Sequence, residues 1–317
     1  MRVSLAGLFL VAVSCAAQTR PQIVGVSHIA VYTSDAAKAE HFYVHDIGLK
    51  KGDDPENSSG VRYYVNQEQF VEVLPMPADA GANRLDHLAY ITRSAEQMRA
   101  YLSAKYVGAK GVTVPDAVKK GSDGSVWFDV QDPEGNKVEF EQPPEKVLGT
   151  KSTSALYTLT GADPIGRRMI HVGMFVRDRE KEDTFYRGVL GFQPYWYGGM
   201  HEHTDWVSQQ VPDGHDWLEY MVYNGTGAPD HISQQQLGVL NHFSLGVVNM
   251  EKTVTTLYEE DRLGDAPARP QMGRDGKWQF NFFDPDLTRV ELMEFSAAGK
   301  PCCSEFTAAN PAPDGQP

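Results

Sequence analysis

The sequence predicts an α+β fold of four βαβββ modules paired into two tandem domains. Three observations carry this reading. VSHIAVYTSDAAKAEHFYVHDIGL aligns without a gap on MIHVGMFVRDREKEDTFYRGVLGF, which places His28 on His171, Phe42-Tyr43 on Phe185-Tyr186 and Gly48 on Gly191. DPEGNKVEFE aligns on DPDLTRVELME, which places Asp132-Pro133 on Asp284-Pro285 and Glu139 on Glu291. Upstream of each Asp-Pro turn lies a His-bearing strand followed by a helix, LDHLAYIT around His87 and LNHFSLGVV around His242.

The elements follow in order. Arg2, the apolar run from Leu5 to Val13 and the small residues SCAAQ have the layout of a secretory signal, assigned to residues 1–17. The run is too short for a mature span, which needs about 20 residues. Cleavage after Ala16 or Ala17 implies an exported protein, periplasmic or extracellular, with a lipid anchor on Cys15 as the alternative. The first domain is expected over 23–142, from modules 23–76 and 84–142. A Pro/Gly/Ser/Thr-rich linker covers 143–166. The second domain is expected over 167–295, from modules 167–224 and 238–295, and residues 163–298 are expected to fold alone. In each half a strand leads to a helix opened by Ser34 or Asp178, and Gly48 or Gly191 can end it. Ser94 and Gln97 form a capping box for the helix after His87. Residues 296–317 read as a flexible tail.

Bulk properties narrow the function. The chain has 317 residues, 41% of them hydrophobic, enough for two cores. A net charge of −13 repels phosphate backbones and anionic surfaces, so a small-molecule substrate is expected, with no nucleic acid and no membrane span. Beyond Cys15 the only cysteines are the neighbours Cys302 and Cys303, poor disulfide partners because so little backbone separates them. No role is assigned to them.

The strand His, the Phe-Tyr helix, the Leu-Gly or Gly end and the Asp-Pro turn leading to a Glu occur in the same order in both halves. In this the chain resembles the vicinal oxygen chelate superfamily, which includes glyoxalase I, fosfomycin-resistance proteins, extradiol dioxygenases and bleomycin-resistance proteins. Leu287, where that family commonly has Gly, is a small departure. The resemblance implies that paired modules form incomplete barrels with a metal inside. It implies ligands His28, Glu72, His87 and Glu139 in the first domain, and His171, Glu219, His242 and Glu291 in the second. Equivalent positions on pseudo-symmetric strands converge on one axis, so the set is geometrically sensible. Imidazoles with carboxylates suit one divalent metal per active domain, Zn, Ni, Fe or Mn.

A lone strand His is usually an ordinary core or edge residue, yet here four of ten His hold matching positions. The second domain is the stronger candidate, because WLEYMVYNG is similar to the glyoxalase I strand that supplies a Glu, and Trp278, Phe280 and Phe282 are expected to wall a substrate. His201-Glu202-His203 reads as a solvated loop. His41, His45, His215 and His231 receive no role.

Four ligands imply a glyoxalase-I-like lyase or isomerase acting on a small oxygenated molecule, with Glu291 and Glu219 as catalytic bases. One alternative is an extradiol-type Fe(II) ring-cleaving dioxygenase using His171, His242 and Glu291, to whose acid-base residues no His or Tyr here can be matched. Another is a non-catalytic binding protein of the resistance type.

Overall fold

The structure is a computed structural model and describes residues 19–108, 111, 113–145, 163–200, 203–223, 232–264 and 269–313. The signal segment with Cys15, most of the linker, and His201, Glu202 and His231 lie outside the described residues. Among those described, no helix is long and apolar enough to cross a membrane.

The first half runs β1 (Ile23–Thr33), α1 (Ala36–Glu40) continued by a π-helical turn (His41–Asp46), β2 (Lys50–Asp53), β3 (Val61–Tyr64) and β4 (Phe70–Pro75). It continues with β5 (Leu85–Thr92), α2 (Ala95–Lys105), β6 (Lys119–Lys120), β7 (Val126–Gln131) and β8 (Lys137–Gln142). The second half repeats the order: β9 (Met169–Val176), α3 (Arg179–Tyr186), β10 (Gln193–Gly198), β11 (Trp206–Gln210) and β12 (Trp217–Val222). Then come α4 (Gln234–Leu240), β13 (His242–Val247), α5 (Met250–Glu259), β14 (Gln271–Met272), β15 (Trp278–Phe283) and β16 (Arg289–Glu294). Among the described residues helix α4 adds to the βαβββ pattern, opened by a capping box between Ser233 and Gln236.

Each half forms one curled eight-stranded half-barrel sheet, ordered β2-β3-β4-β1-β5-β8-β7-β6 and β10-β11-β12-β9-β13-β16-β15-β14. At the centre the first strands of the two modules pair antiparallel, β1 with β5 and β9 with β13. Each also pairs in parallel with the last strand of its own module. This arrangement brings the His of one module beside the His of the next.

The helix signals act with one shift. Asp178 and Ser94 cap α3 and α2 as expected, but Asp35, one residue after Ser34, caps α1. Ser34 is engaged instead by the second half, its backbone N–H and hydroxyl both donating to Asp286 at 2.9 and 2.7 Å. Glu134, the counterpart of Asp286, accepts from the backbone of Arg177 and Asp178. The turn after each Asp-Pro therefore closes the first helix of the other half.

Gly48 and Gly191 both take φ near +80°, the left-handed conformation that ends a helix without a Cβ penalty. Between the halves, Tyr90 meets Phe192 edge-on at 5.2 Å, Tyr106 packs on Phe185 at 4.4 Å, and Phe42 meets Phe282 at 6.3 Å. A single apolar cluster contains residues of both sheets. Residues 296–313, expected as a flexible tail, pack along β10. Thr307 N–H donates to the Tyr195 carbonyl and Gln210 to that of Ala309.

At the junction a fully buried Glu182 meets Asp132, and burial together with the charges of Asp132 and Glu134 pushes Glu182 up to about 10. Near neutrality the folded chain therefore keeps a proton that the unfolded chain releases. The contribution is full below the ordinary Glu value and is lost as pH rises toward 10. Glu182→Gln should raise the melting temperature at pH 8 by roughly 1–2 °C, the shift about 1 kcal/mol produces in a chain of this length. Calorimetry at pH 5 should show a smaller gain, and an equal gain at both pH values would contradict this reading.

Candidate metal centres and the second-domain cavity

In the first sheet, Nε2 of His28 and Nε2 of His87 lie 2.9 Å apart, both fully or nearly fully buried. Glu139 reaches to 3.6 Å from His28 and 3.7 Å from His87, and Glu72 lies 3.6 Å from His87. The structure thus brings together all four first-domain residues. Second contacts orient the rings: Ser27 Oγ lies 3.1 Å from His28 Nδ1, and His87 Nδ1 donates to Asp86 at 2.6 Å.

Burial pushes Glu72 up to about 10 and Glu139 well above the carboxylate range, helped by neighbouring carboxylates. Burial likewise holds His28 and His87 below the ordinary imidazole value. One oxygen each of Glu72 and Glu139 is buried without a hydrogen-bond partner. Neutral imidazoles converging on orphaned buried carboxylate oxygens fit a divalent metal, whose charge would favour the ionised form.

The second sheet repeats the cluster. His171 Nε2 lies 3.1 Å from His242 Nε2 and 3.1 Å from Glu291, and His242 lies 3.4 Å from Glu219. His242 Nδ1 donates to the Leu240 carbonyl at 3.0 Å, which leaves Nε2 free to bind a metal. Burial raises Glu291, but the hydrogen bond from His171 and the charges of Arg289 and both His bring it below the ordinary Glu value. Burial and Arg289 hold His242 well below the ordinary imidazole value. The second centre is therefore ionised at its carboxylate and neutral at His242, the state a divalent ion requires.

One contributor was not visible as a candidate. Gly173 stands across from His242, and a Cβ there would lie 2.0 Å from the His242 ring. The first half has Ala30 in this place, opposite His87. The gapless repeat alignment sets Gly173 on Ala30, but only the cross-strand register shows why it matters. Gly173→Ala should displace His242 and weaken second-domain metal binding by at least about tenfold, as loss of supporting contacts does. Chelator competition reads the affinity and circular dichroism the fold. Unchanged affinity would remove Gly173 from the site.

A cavity of about 380 Å³ opens on this second cluster. Glu219 and Glu291 line it, as do Trp206, Trp217, Arg289 and Phe306. The aromatic wall differs from the expected one. Phe280 and Phe282 are buried in the core, and Trp278 is surface-exposed. Strand alternation explains this, because β15 turns Gln279, not its aromatic neighbours, toward the cavity. Trp196, Trp206 and Trp217, on β10 to β12, form the wall instead.

Residues 25–140 and 168–292 each match the Glyoxalase/Bleomycin resistance protein/Dioxygenase superfamily. The chain belongs to this superfamily. No curated protein sequence matches it. Among solved structures, it is similar to homoprotocatechuate 2,3-dioxygenase from B. fuscum in complex with HPCA. There the identity is 18% and the TM-score 0.61, over 87% of this chain and 72% of that one. A catechol 2,3-dioxygenase gives 15% identity and a TM-score of 0.60, over 93% and 96%. The homoprotocatechuate 2,3-dioxygenase of Arthrobacter globiformis gives 17% and 0.58, over 87% and 80%. At these identities the likeness is one of fold.

Within this superfamily chain, the two halves differ at the positions flanking the metal cluster. Arg62, opposite Glu72 in the first half, is replaced by Ser208, opposite Glu219 in the second. Arg62 is buried, pairs with Asp54 at 3.3 Å and with Glu56, and stacks over Phe70 at 3.9 Å. Ser208 lines the cavity. The small side chain leaves room where its counterpart fills it.

Cys302 and Cys303 are disulfide-bonded to each other, contrary to the expectation from their adjacency. Cys303 takes a left-handed φ of 74°. Trp196 Nε1 donates to the Cys302 carbonyl at 3.2 Å, and Cys302 N–H to that of Arg274 at 2.7 Å. The loop is thereby tied to two residues that line the cavity.

Proposed function

We propose that the protein is a metal-dependent enzyme whose second domain carries the active site, and that it is an extradiol-type dioxygenase acting on a catechol-like ring. The observation that carries the reading is the cluster of His171, His242, Glu219 and Glu291, whose two carboxylates line an aromatic-walled cavity while the imidazoles lie buried behind them. Two imidazoles and one carboxylate leave coordination positions open for substrate. When bound, a redox-active divalent metal such as Fe(II) supplies the chemistry that joins a catecholate to O₂.

The chain's own residues do the rest. His171, His242 and Glu291 would hold the metal, and the indoles of Trp206 and Trp217 offer flat apolar surfaces to a ring. No His lines the cavity among the described residues. Glu219, lining the cavity 3.4 Å from His242, is the carboxylate placed to accept a catechol proton. The likeness in fold to structures named as catechol-cleaving dioxygenases supports the same class.

A glyoxalase-like lyase is the second reading, favoured by the position of Glu219 as a possible fourth ligand. The two separate on oxygen. Full-length protein loaded anaerobically with Fe(II) and given catechol should consume about one O₂ per ring opened. Glu219→Gln should retain metal and lose turnover by about 10²–10⁴-fold, the usual worth of a positioned acid-base group. Turnover of an oxygenated substrate with Ni or Zn and no O₂ would establish the lyase instead. Export is part of the proposal, and a mature chain beginning near Ala17 or Gln18 by mass spectrometry is its test.

A further inference from the structure

The two halves are built alike, so each serves as a reference for the other. In the first, both cations flanking the metal cluster are neutralised by the protein. Lys137 pairs with Asp86. Arg62, over the Phe70 ring, pairs with Asp54, Glu56 and, at 3.6 Å, Glu141.

In the second half only Arg289 has a counterpart among these cations, Lys277 comes from a different strand end, and neither has an ion-pair partner within 4 Å among the described residues. Arg289, two residues before Glu291 as Lys137 is before Glu139, lines the cavity, and its Nε is buried without a hydrogen-bond partner. Trp217, the counterpart of Phe70, carries Lys277 in place of an arginine. The Lys277 Nζ lies 4.6 Å from the Trp217 ring, 5.3 Å from Phe306 and 5.9 Å from Tyr195. This ammonium is fully buried and has no hydrogen-bond partner. Burial pushes Lys277 down to about 8, and the acids that act against this are Asp275, itself pushed up to about 6 by burial, and the metal-site carboxylates Glu291 and Glu219. A buried cation without a hydrogen-bonded partner is costly, and aromatic faces offset that cost only in part.

Charge accounting sharpens the contrast. A divalent metal balances Glu219 and Glu291. That leaves Arg274 and Arg289 lining the cavity, with Lys277 behind its aromatic wall, against Asp275 among the described lining residues, in a chain whose net charge is −13. A locally positive, aromatic-walled pocket in an acidic protein is built for an anion attached to a ring.

We propose that the second-domain cavity binds an aromatic acid. Arg289 is the direct partner of the acid group, and Lys277 adds positive charge from beneath the aromatic wall formed by Trp217, Tyr195 and Phe306. This deepens the dioxygenase reading and rests on it for the orientation of the ring toward the metal. It does not rest on it for the binding of the acid.

The test uses full-length protein loaded with redox-inert Zn, so that binding is read without turnover. Isothermal titration compares 3,4-dihydroxybenzoate with catechol, the same ring with and without a carboxylate. The acid should bind about tenfold or more tightly, the worth of one charge-assisted contact. Arg289→Gln should bring the two ligands to within about twofold, and Lys277→Met should narrow the gap. Lys277→Met keeps an unbranched chain among the rings, and Arg289 is only half-buried, so at least one variant should fold. Equal affinity of the two ligands in the parent protein would overturn the proposal, as would a preference surviving both substitutions. Tight binding of the acid without O₂ uptake in the Fe(II) protein would defeat the dioxygenase reading alone. Ring opening with no preference for the acid would defeat this inference alone.

Discussion

Replacing His171 and His242 together by Ala is expected to remove about one equivalent of metal and to lower turnover by at least about a hundredfold. These imidazoles face each other at 3.1 Å, and His171 also meets Glu291. Without them two carboxylates remain beside a cavity, too few and too loosely placed for a defined coordination geometry. The matching His28→Ala, His87→Ala protein should lose metal from the first centre and keep more of its turnover, because Arg62 stands there in place of the cavity-lining Ser208. Metal analysis and activity on the two proteins decide the matter. A folded His171/His242 variant with undiminished metal and turnover would leave those residues as ordinary core histidines.

Separating the halves should be nearly as damaging. The repeat pattern alone suggests that residues 163–298 fold as a unit, but the structure shows their core shared with the other half. Excision would expose Phe185, Phe192 and Phe282 and remove the Glu134 carboxylate that accepts from the backbone N–H groups of Arg177 and Asp178 before α3. Each buried large apolar side chain contributes about 1.5–3 kcal/mol, so several together approach the whole net stability of a domain, about 5–15 kcal/mol. The fragment alone is expected to show no sharp thermal transition, and mixing it with residues 19–145 should restore one. A cooperative transition of the fragment near that of the full chain would contradict this.

Why the domain interface escaped the sequence while the metal clusters did not has a physical cause. The clusters depend on single side chains at fixed strand positions, and the internal repeat together with the resemblance to the superfamily carries that information along the chain: His28 aligns on His171 and Glu139 on Glu291. Pairing between distant surfaces leaves no such repeat. Asp286 reads as one more polar turn residue until Ser34 is found bonded to it. The same holds for Gly173, whose role comes from the neighbouring strand, and for the cavity wall. Phe280 and Phe282 stand near Glu291 in sequence, but alternation on β15 turns them into the core. Lys277 carries no signal in the sequence, and only its aromatic surroundings and buried ammonium distinguish it. The bond between Cys302 and Cys303 is likewise not announced by their adjacency.

The most direct measurement is electron paramagnetic resonance of the full chain loaded with Fe(II) and treated with nitric oxide without oxygen, before and after adding catechol. With His171, His242 and Glu291 as one face of the iron and the cavity beside it, the signal should change shape when catechol enters. It should vanish from the second centre in the His171→Ala, His242→Ala protein. A signal insensitive to catechol, or one that persists in that variant and disappears when His28 and His87 are replaced, would contradict it.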